Sequence, residues 1–310
     1  MYPLVAIVGP TASGKSDLAL FLAELFHAEI VNYDSLQIFR HLNIGTAKPT
    51  PEEQQRVPHH LIDIREPTDV FTAGDYQREA RRVLEDIRQR SKLPILVGGT
   101  GLYLRAVIEG LFDGPTRSTY WRNRLEMIAE RKGREYLHRM LKRLDASAAA
   151  RIAERDKQKV IRALEVRLES GKTLSEHWSD GGRQPITGFK VHLIGLNPPR
   201  DELYGRIDER VTRMFQAGFV EEIRRLLENG IPASAKAFEA IGYRHVIADI
   251  DSCIPQEETI RIIQRDTRRY AKRQMTWFRR QSEVTWFDGP GDSQETKNKV
   301  YLFLKPLVTF

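Results

Sequence analysis

Gly9-Pro10-Thr11-Ala12-Ser13-Gly14-Lys15-Ser16 fits the pattern G-x-x-x-x-G-K-[ST] at every fixed position. Such a loop binds polyphosphates. Its glycines let the backbone curl so that consecutive N–H groups point at phosphate oxygens, and the helix that follows adds its positive N-terminal end. Lys15 supplies a point charge for the terminal phosphate, and Ser16 a hydroxyl for a Mg²⁺ ion that also binds phosphate oxygens. The usual chemistry of this loop is nucleotide hydrolysis or phosphoryl transfer, which wants an acidic residue at the end of a neighbouring strand to hold the metal. Here the apolar run Pro94-Ile95-Leu96-Val97 ends in Gly98-Gly99-Thr100, with no carboxylate. That departure leaves room for a diphosphate that acts as a leaving group.

A second group with chemical potential is Asp34, in Asn32-Tyr33-Asp34-Ser35-Leu36-Gln37. A carboxylate just after a parallel strand lies on the same sheet edge as the phosphate loop and can take a proton from an attacking nucleophile. Asp34 is equally suited to capping a helix that begins at Ser35. Gln37 offers both a donor and an acceptor, which suits a base edge as well as a solvated surface.

These groups need elements to carry them. Residues 4–8 are a short apolar run ending in Gly9, and residues 17–26 have helical spacing with Leu18, Leu22 and Leu25 on one face. Strands are expected at 29–33 and 93–97, with a helix between them at 71–90. Strands alternating with helices predict an α/β fold with a parallel sheet, the P-loop NTPase-like core flanked by helices. Residues 121–169 are helical and charged throughout, so residues 114–186 are expected to form an all-helical insertion between core segments 1–113 and 187–310. Further on, a strand is expected at 191–196, one long helix at 201–229 ended by Gly230, another helix at 260–280 and a last strand at 284–287.

Composition bounds the rest. The 310 residues are 41% hydrophobic and 29% charged, which excludes disorder, collagen and coiled coil. The single cysteine, Cys253, can form no internal disulfide and no multi-cysteine zinc site. No apolar run approaches the roughly 18 residues a membrane span needs, and the first residues read as a buried strand rather than a leader. A soluble, cytoplasmic protein is expected, with a monomer the simplest state. The net charge of +7 is not evenly spread: residues 114–186 carry 17 basic and 10 acidic side chains, while the excesses of the two flanks cancel. A pI near 9.4 with the excess in one segment points to a polyanion partner or to a solvated helical surface.

The ordered set of motifs resembles the bacterial tRNA dimethylallyltransferases. It comprises the phosphate loop, the run Asp34-Ser35-Leu36-Gln37-Ile38-Phe39-Arg40, Ile44-Gly45-Thr46-Ala47-Lys48-Pro49, Pro58-His59-His60-Leu61-Ile62-Asp63, Val97-Gly98-Gly99-Thr100-Gly101-Leu102-Tyr103, Arg162-Ala163-Leu164-Glu165-Val166 and the block from Thr267 to Phe278. The resemblance implies transfer of a dimethylallyl group from dimethylallyl diphosphate to the exocyclic amine of the adenosine 3′ to the anticodon, position 37, in tRNAs reading codons that begin with U. It implies Mg²⁺ as cofactor and the tRNA anticodon stem-loop as partner. It makes Asp34 the general base and gives the diphosphate to Lys15, Ser16 and the loop amides of Gly9, Pro10, Thr11, Ala12, Ser13 and Gly14. Arg210 would stabilise the departing diphosphate, and Thr100 would contact the target nucleotide. Asp34, Ser35, Leu36 and Gln37 would line the channel for the base. Arg122, Gln158, Lys159, Val160, Ile161, Arg162, Gly242, Tyr243, Arg244, Lys272, Arg273, Gln274, Thr276 and Arg279 would touch the tRNA.

The residues agree with the chemistry so implied. An allylic donor ionises to a delocalised cation, so the enzyme must chiefly stabilise charge on the diphosphate, a task for Lys15, Arg210 and the amides. A base stacked in an anticodon loop must be unstacked to reach a buried site. Arg261, Arg265, Arg269 and Arg273 recur every four residues and form one helical stripe, which suits RNA phosphates or plain solvation. The adjacent His59-His60 lack partners at zinc spacing, and Trp121, Trp178, Trp277 and Trp286 read as packing. The competing reading is a P-loop small-molecule kinase, which shares the loop and an Asp after strand two but leaves the basic insertion unexplained. A guanine-reading N-K-x-D pattern is missing, which argues against a GTPase-like switch.

Overall fold

The computed structural model describes residues 1–250, 254–281 and 283–308. Cys253 lies outside them. The chain divides into two units, Met1–Val107 with Thr187–Phe310, and Ile108–Ile186.

The first unit is built on a six-stranded parallel sheet. Its first half runs β1 (Tyr2–Val8), α1 (Lys15–Phe26), β2 (Glu29–Asn32), α2 (Pro51–Arg56), β3 (His59–His60), α3 (Ala73–Gln89), β4 (Pro94–Val97) and α4 (Gly101–Ile108). After the second unit, whose helices are α5 (Thr119–Lys132), α6 (Arg134–Leu144), α7 (Ala146–Arg151), α8 (Lys157–Ser170) and α9 (Leu174–Asp180), the sheet resumes with β5 (Phe189–Asn197). There follow α10 (Arg200–Gln216), α11 (Phe219–Glu228), α12 (Tyr243–Asp249), α13 (Gln256–Phe278), β6 (Val284–Asp288) and α14 (Gln294–Leu304). The strand order is β3-β2-β4-β1-β5-β6, every neighbouring pair parallel. The strands are short apolar runs because both faces are covered. Leu4 to Val8 and Ile95 and Leu96 are fully buried, and of these Val5, Ile7 and Ile95 pack with Leu18 and Leu22 of α1 and Val300 and Leu304 of α14. A second core joins Ile38, Phe39 and Leu42 to Phe219, Phe238 and Tyr243, beneath the helices that follow β5. Parallel strands bring their carboxyl ends to one edge, so the phosphate loop, residue 34, residues 98–100 and the turn after β6 all meet there.

The helix expected across 201–229 is two helices. Gly218, at φ +94°, takes the left-handed conformation that ends α10 and turns the chain into α11. His59 and His60 form a short edge strand; His60 Nε2 meets Glu29 at 2.7 Å, and Arg90 holds the same carboxylate. Their role here is therefore structural at His60. α14 has no counterpart in the sequence reading.

The second unit is all helical, around Leu125, Leu137, Leu141, Val160, Ile161 and Leu164. It begins at Ile108 rather than at 114. Residues 108–112 are tied to the chain that leaves the unit: Ile186 N–H donates to Ile108 C=O at 2.9 Å, Phe112 bridges Arg183, and Arg183 pairs with Glu109. At its centre Glu165, fully buried, accepts from Arg122, Arg162 and the Ser118 N–H.

Candidate active site

The phosphate loop links β1 to α1. Gly14 sits at φ +81°, and a Cβ there would lie 2.7 Å from the Asp292 backbone nitrogen, so glycine is required on both conformational and steric grounds. Ala12 also occupies the left-handed region, at φ 63°. Three outside groups hold this conformation. Gly291 N–H donates to Ser13 C=O at 2.8 Å, Arg206 Nε donates to Ala12 C=O at 3.0 Å, and Arg206 pairs with Asp292 at 2.7 Å. From the opposite side Gln274 on α13 accepts from Thr11 N–H at 2.8 Å and donates to Gly99 C=O at 2.9 Å, stapling the loop to the end of β4.

Lys15 folds back over the loop, its Nζ donating to Pro10 C=O at 2.6 Å. Its ammonium is brought down to about 7, chiefly by burial and then by the Arg210 guanidinium, with Asp34 opposing both. Burial likewise lowers Arg210. Two half-buried cations that repel each other form a site that gains from an arriving anion.

Asp34 follows β2. Its N–H donates to Asn32 Oδ1 at 2.9 Å, and its Oδ1 accepts from the Leu36 N–H at 2.9 Å. That is a local turn, and no helix begins at Ser35, so the helix-capping alternative falls away. Asp34 lines a cavity of about 970 Å³ together with Lys15, Gln37, Thr46, Arg210 and Tyr270. Burial and then the negative charge of Asp34 raise the Tyr270 hydroxyl, so the phenol stays protonated. A smaller cavity of about 400 Å³ lies beside the phosphate loop, lined by Ser13, Lys15, Ser16, Arg210, Arg213 and Asp292.

The other expected residues divide. Thr100 Oγ1 accepts from Ser35 N–H and donates to Ser35 Oγ, both at 3.0 Å, so its hydroxyl braces the segment carrying Asp34. Gln37 lines the larger cavity with its amide anchored to the Thr46 and Ala47 carbonyls. Lys272, Arg273, Thr276 and Arg279 are exposed on or just past α13, as are Arg261, Arg265 and Arg269. Gln158 and Lys159 are exposed at the start of α8. Several assignments need correction. Val160 and Ile161 are core residues of the second unit, and their side chains are closed to any ligand. Arg122 and Arg162 spend their guanidinium groups on buried Glu165. Tyr243 is fully buried and donates to Glu222 at 2.7 Å. Gln274 is buried in the loop staple, whereas Arg244 is exposed and shares Asp266 with Arg265 and Arg269. Trp277 packs against Gly101, as expected of a packing residue.

Sequence reasoning missed Arg206, Arg213, Glu222 and Asp292. Arg213 had a signal, one helical turn beyond Arg210; the others arrive from distant segments and had none.

Among the described residues no three His, Cys, Asp or Glu side chains converge to hold a metal unaided. Ser16, exposed at the start of α1 on the rim of both cavities, suits an ion held mainly by phosphate oxygens and water.

Comparison with known proteins agrees with this geometry. Residues 37–281 match the family model described as IPP transferase. A tRNA dimethylallyltransferase of Koribacter versatilis is 50% identical over 289 residues, covering 93% of this chain and 94% of that one. One of Carboxydothermus hydrogenoformans is 44% identical over 94% of each chain. Among solved structures, the tRNA isopentenylpyrophosphate transferase of Bacillus halodurans superposes with a TM-score of 0.73 at 38% identity, covering 99% of this chain and 97% of that one. A eukaryotic dimethylallyltransferase solved acting on tRNA gives a TM-score of 0.82 at 26% identity, covering 98% and 78%. A family model matching most of the chain, together with relatives 50% and 44% identical over nearly their whole length, shows that this chain belongs to the IPP transferase family.

Proposed function

We propose that this chain transfers a dimethylallyl group from dimethylallyl diphosphate to N6 of adenosine 37, beside the anticodon of tRNAs reading codons that begin with U. The observation that carries the reading is one cavity lined by two half-buried cations and a carboxylate, Lys15, Arg210 and Asp34. In the reaction the N6–carbon bond forms as the donor's carbon–oxygen bond breaks, and the diphosphate leaves with the electron pair. Lys15, Arg210 and the loop amides stabilise the charge that develops there. Asp34 takes the N6 proton, its Oδ1 already held by Leu36 so that the carboxylate is oriented before substrate arrives. Ser16 would hold Mg²⁺ against the diphosphate; when bound, the ion neutralises charge on the leaving group. The target base must leave its stack to reach Asp34, and the exposed Arg265, Arg269, Lys272 and Arg273 supply charge for the RNA backbone. The reading takes the protein as a cytoplasmic monomer. Among the described residues no helix is long and apolar enough to cross a membrane.

The test incubates protein and Mg²⁺ with labelled dimethylallyl diphosphate and unmodified tRNA, with parallel tubes carrying γ-labelled ATP and small alcohols. Label in RNA supports the transferase. Phosphate moving from ATP, with no prenyl transfer, would make the protein a P-loop small-molecule kinase.

A further inference from the structure

We propose that Glu222 and Tyr243 are positioning residues that fix the polarity of Gln37, and that this polarity selects adenine over guanine at the target position. The inference rests on the transferase reading above.

The Gln37 Nε2 lies 3.2 Å from Thr46 O and 3.1 Å from Ala47 O. Both are carbonyl acceptors, so only the NH₂ end of the amide can face them, whichever way an amide is otherwise assigned. Both amide protons are then spent, and the end of Gln37 left for a ligand is Oε1, a pure acceptor. Adenine presents an amine donor where guanine presents the O6 acceptor. An acceptor from the protein welcomes the first and repels the second. Asp34 takes one hydrogen of the adenine amine, and Gln37 accepts the other.

That polarity is only as firm as the two carbonyls. They belong to a turn with a strained residue, Ala47 at φ 47°. Glu222 on α11 holds the turn. Its Oε2 accepts from Asn43 N–H at 2.9 Å and Ile44 N–H at 2.7 Å, and its Oε1 from Gly45 N–H at 3.4 Å and Tyr243 Oη at 2.7 Å. The Ala47 and Lys48 N–H groups close the turn onto Ile44 and Asn43. Gly45 has no room for a Cβ, which would stand 2.3 Å from the Phe219 ring and 2.6 Å from Tyr243. Four donors converging on one residue demand a carboxylate; an amide would aim its NH₂ at an N–H.

The experiment measures the affinity of wild type, Glu222→Gln and Tyr243→Phe for two anticodon stem-loops that differ only in A37 or G37. It also measures prenyl transfer to the A37 RNA. Wild type should favour A37, and Glu222→Gln should shrink the ratio of the two dissociation constants on the order of tenfold. Tyr243→Phe should move it the same way but less, and serves alone if Glu222→Gln does not fold. A variant that is merely destabilised would lose activity and keep the ratio. Folded variants with the wild-type ratio overturn the inference, as does a wild type that prenylates A37 RNA but binds both RNAs equally. A wild type with no transfer at all overturns the transferase reading instead.

Discussion

Raising the pH from 7 to 9 should weaken diphosphate binding about 50-fold through one residue. In the free protein, burial and Arg210 hold Lys15 near 7. A diphosphate on the loop removes the cause by placing negative charge against the ammonium, which returns it towards the ordinary lysine value of about 10. The sign follows from linkage. The bound state carries the higher value, so binding takes up a proton between the two, and affinity falls as pH rises through 7. The free protein is half protonated at pH 7, about one part in ten at pH 8 and about one in a hundred at pH 9, which gives the 50-fold figure. The last phosphate proton, with a value near 6, is already gone over this range and does not interfere. Calorimetry in two buffers of different ionisation enthalpy reads the proton directly: uptake of about 0.5 at pH 7 and about 0.9 at pH 8. Lys15→Met should bind weakly and without this pH dependence. Wild-type affinity that stays flat from pH 7 to 9, with no proton uptake, would refute the coupling of Lys15, Arg210 and the bound anion.

Other substitutions test other parts. Asp34→Asn should keep tRNA affinity while cutting single-turnover transfer about 10²–10⁴-fold, the usual weight of a general base; unchanged turnover removes Asp34 from the role. Arg210→Ala should slow transfer about 10²–10³-fold with RNA binding intact, as for loss of one stabilising group at a developing anion. Arg122→Met should act on stability before RNA, because it strips a partner from Glu165, which is fully buried; denaturant unfolding of the second unit should show a loss of about 3 kcal/mol. Neutralising Arg265, Arg269 and Arg273 together should flatten the salt dependence of tRNA binding, and an unaltered slope would make the stripe a solvated face.

Features encoded locally could be read in the sequence. The phosphate loop is a contiguous pattern whose glycines and lysine each answer a physical need, and the structure gives Gly14 the left-handed backbone that need implies. Parallel strands buried on both faces show as apolar runs, which is why β1 and β4 were legible and the two-residue β3 was not. The break at Gly218 was missed because α11 keeps its amphipathic face across the turn, burying Phe219, Ile223 and Leu226. The resemblance gave Arg122 and Arg162 to the tRNA, yet the structure turns them inward to Glu165, whose burial no local pattern announces. Tyr243 carried a tRNA assignment by motif alone, and its place in the second core, against Glu222, depends on contacts between segments far apart in the chain. The Arg206–Asp292 clasp on the phosphate loop was invisible for the same reason.

The most direct test of the transferase account locates the product. Unmodified tRNA with A37 is treated with protein, Mg²⁺ and dimethylallyl diphosphate, digested, and analysed nucleoside by nucleoside by mass spectrometry. The account predicts one prenyl group, on N6 of adenosine 37, and none after treatment with Asp34→Asn on the same timescale. A prenyl group elsewhere in the RNA, or none with the wild-type protein, would contradict it.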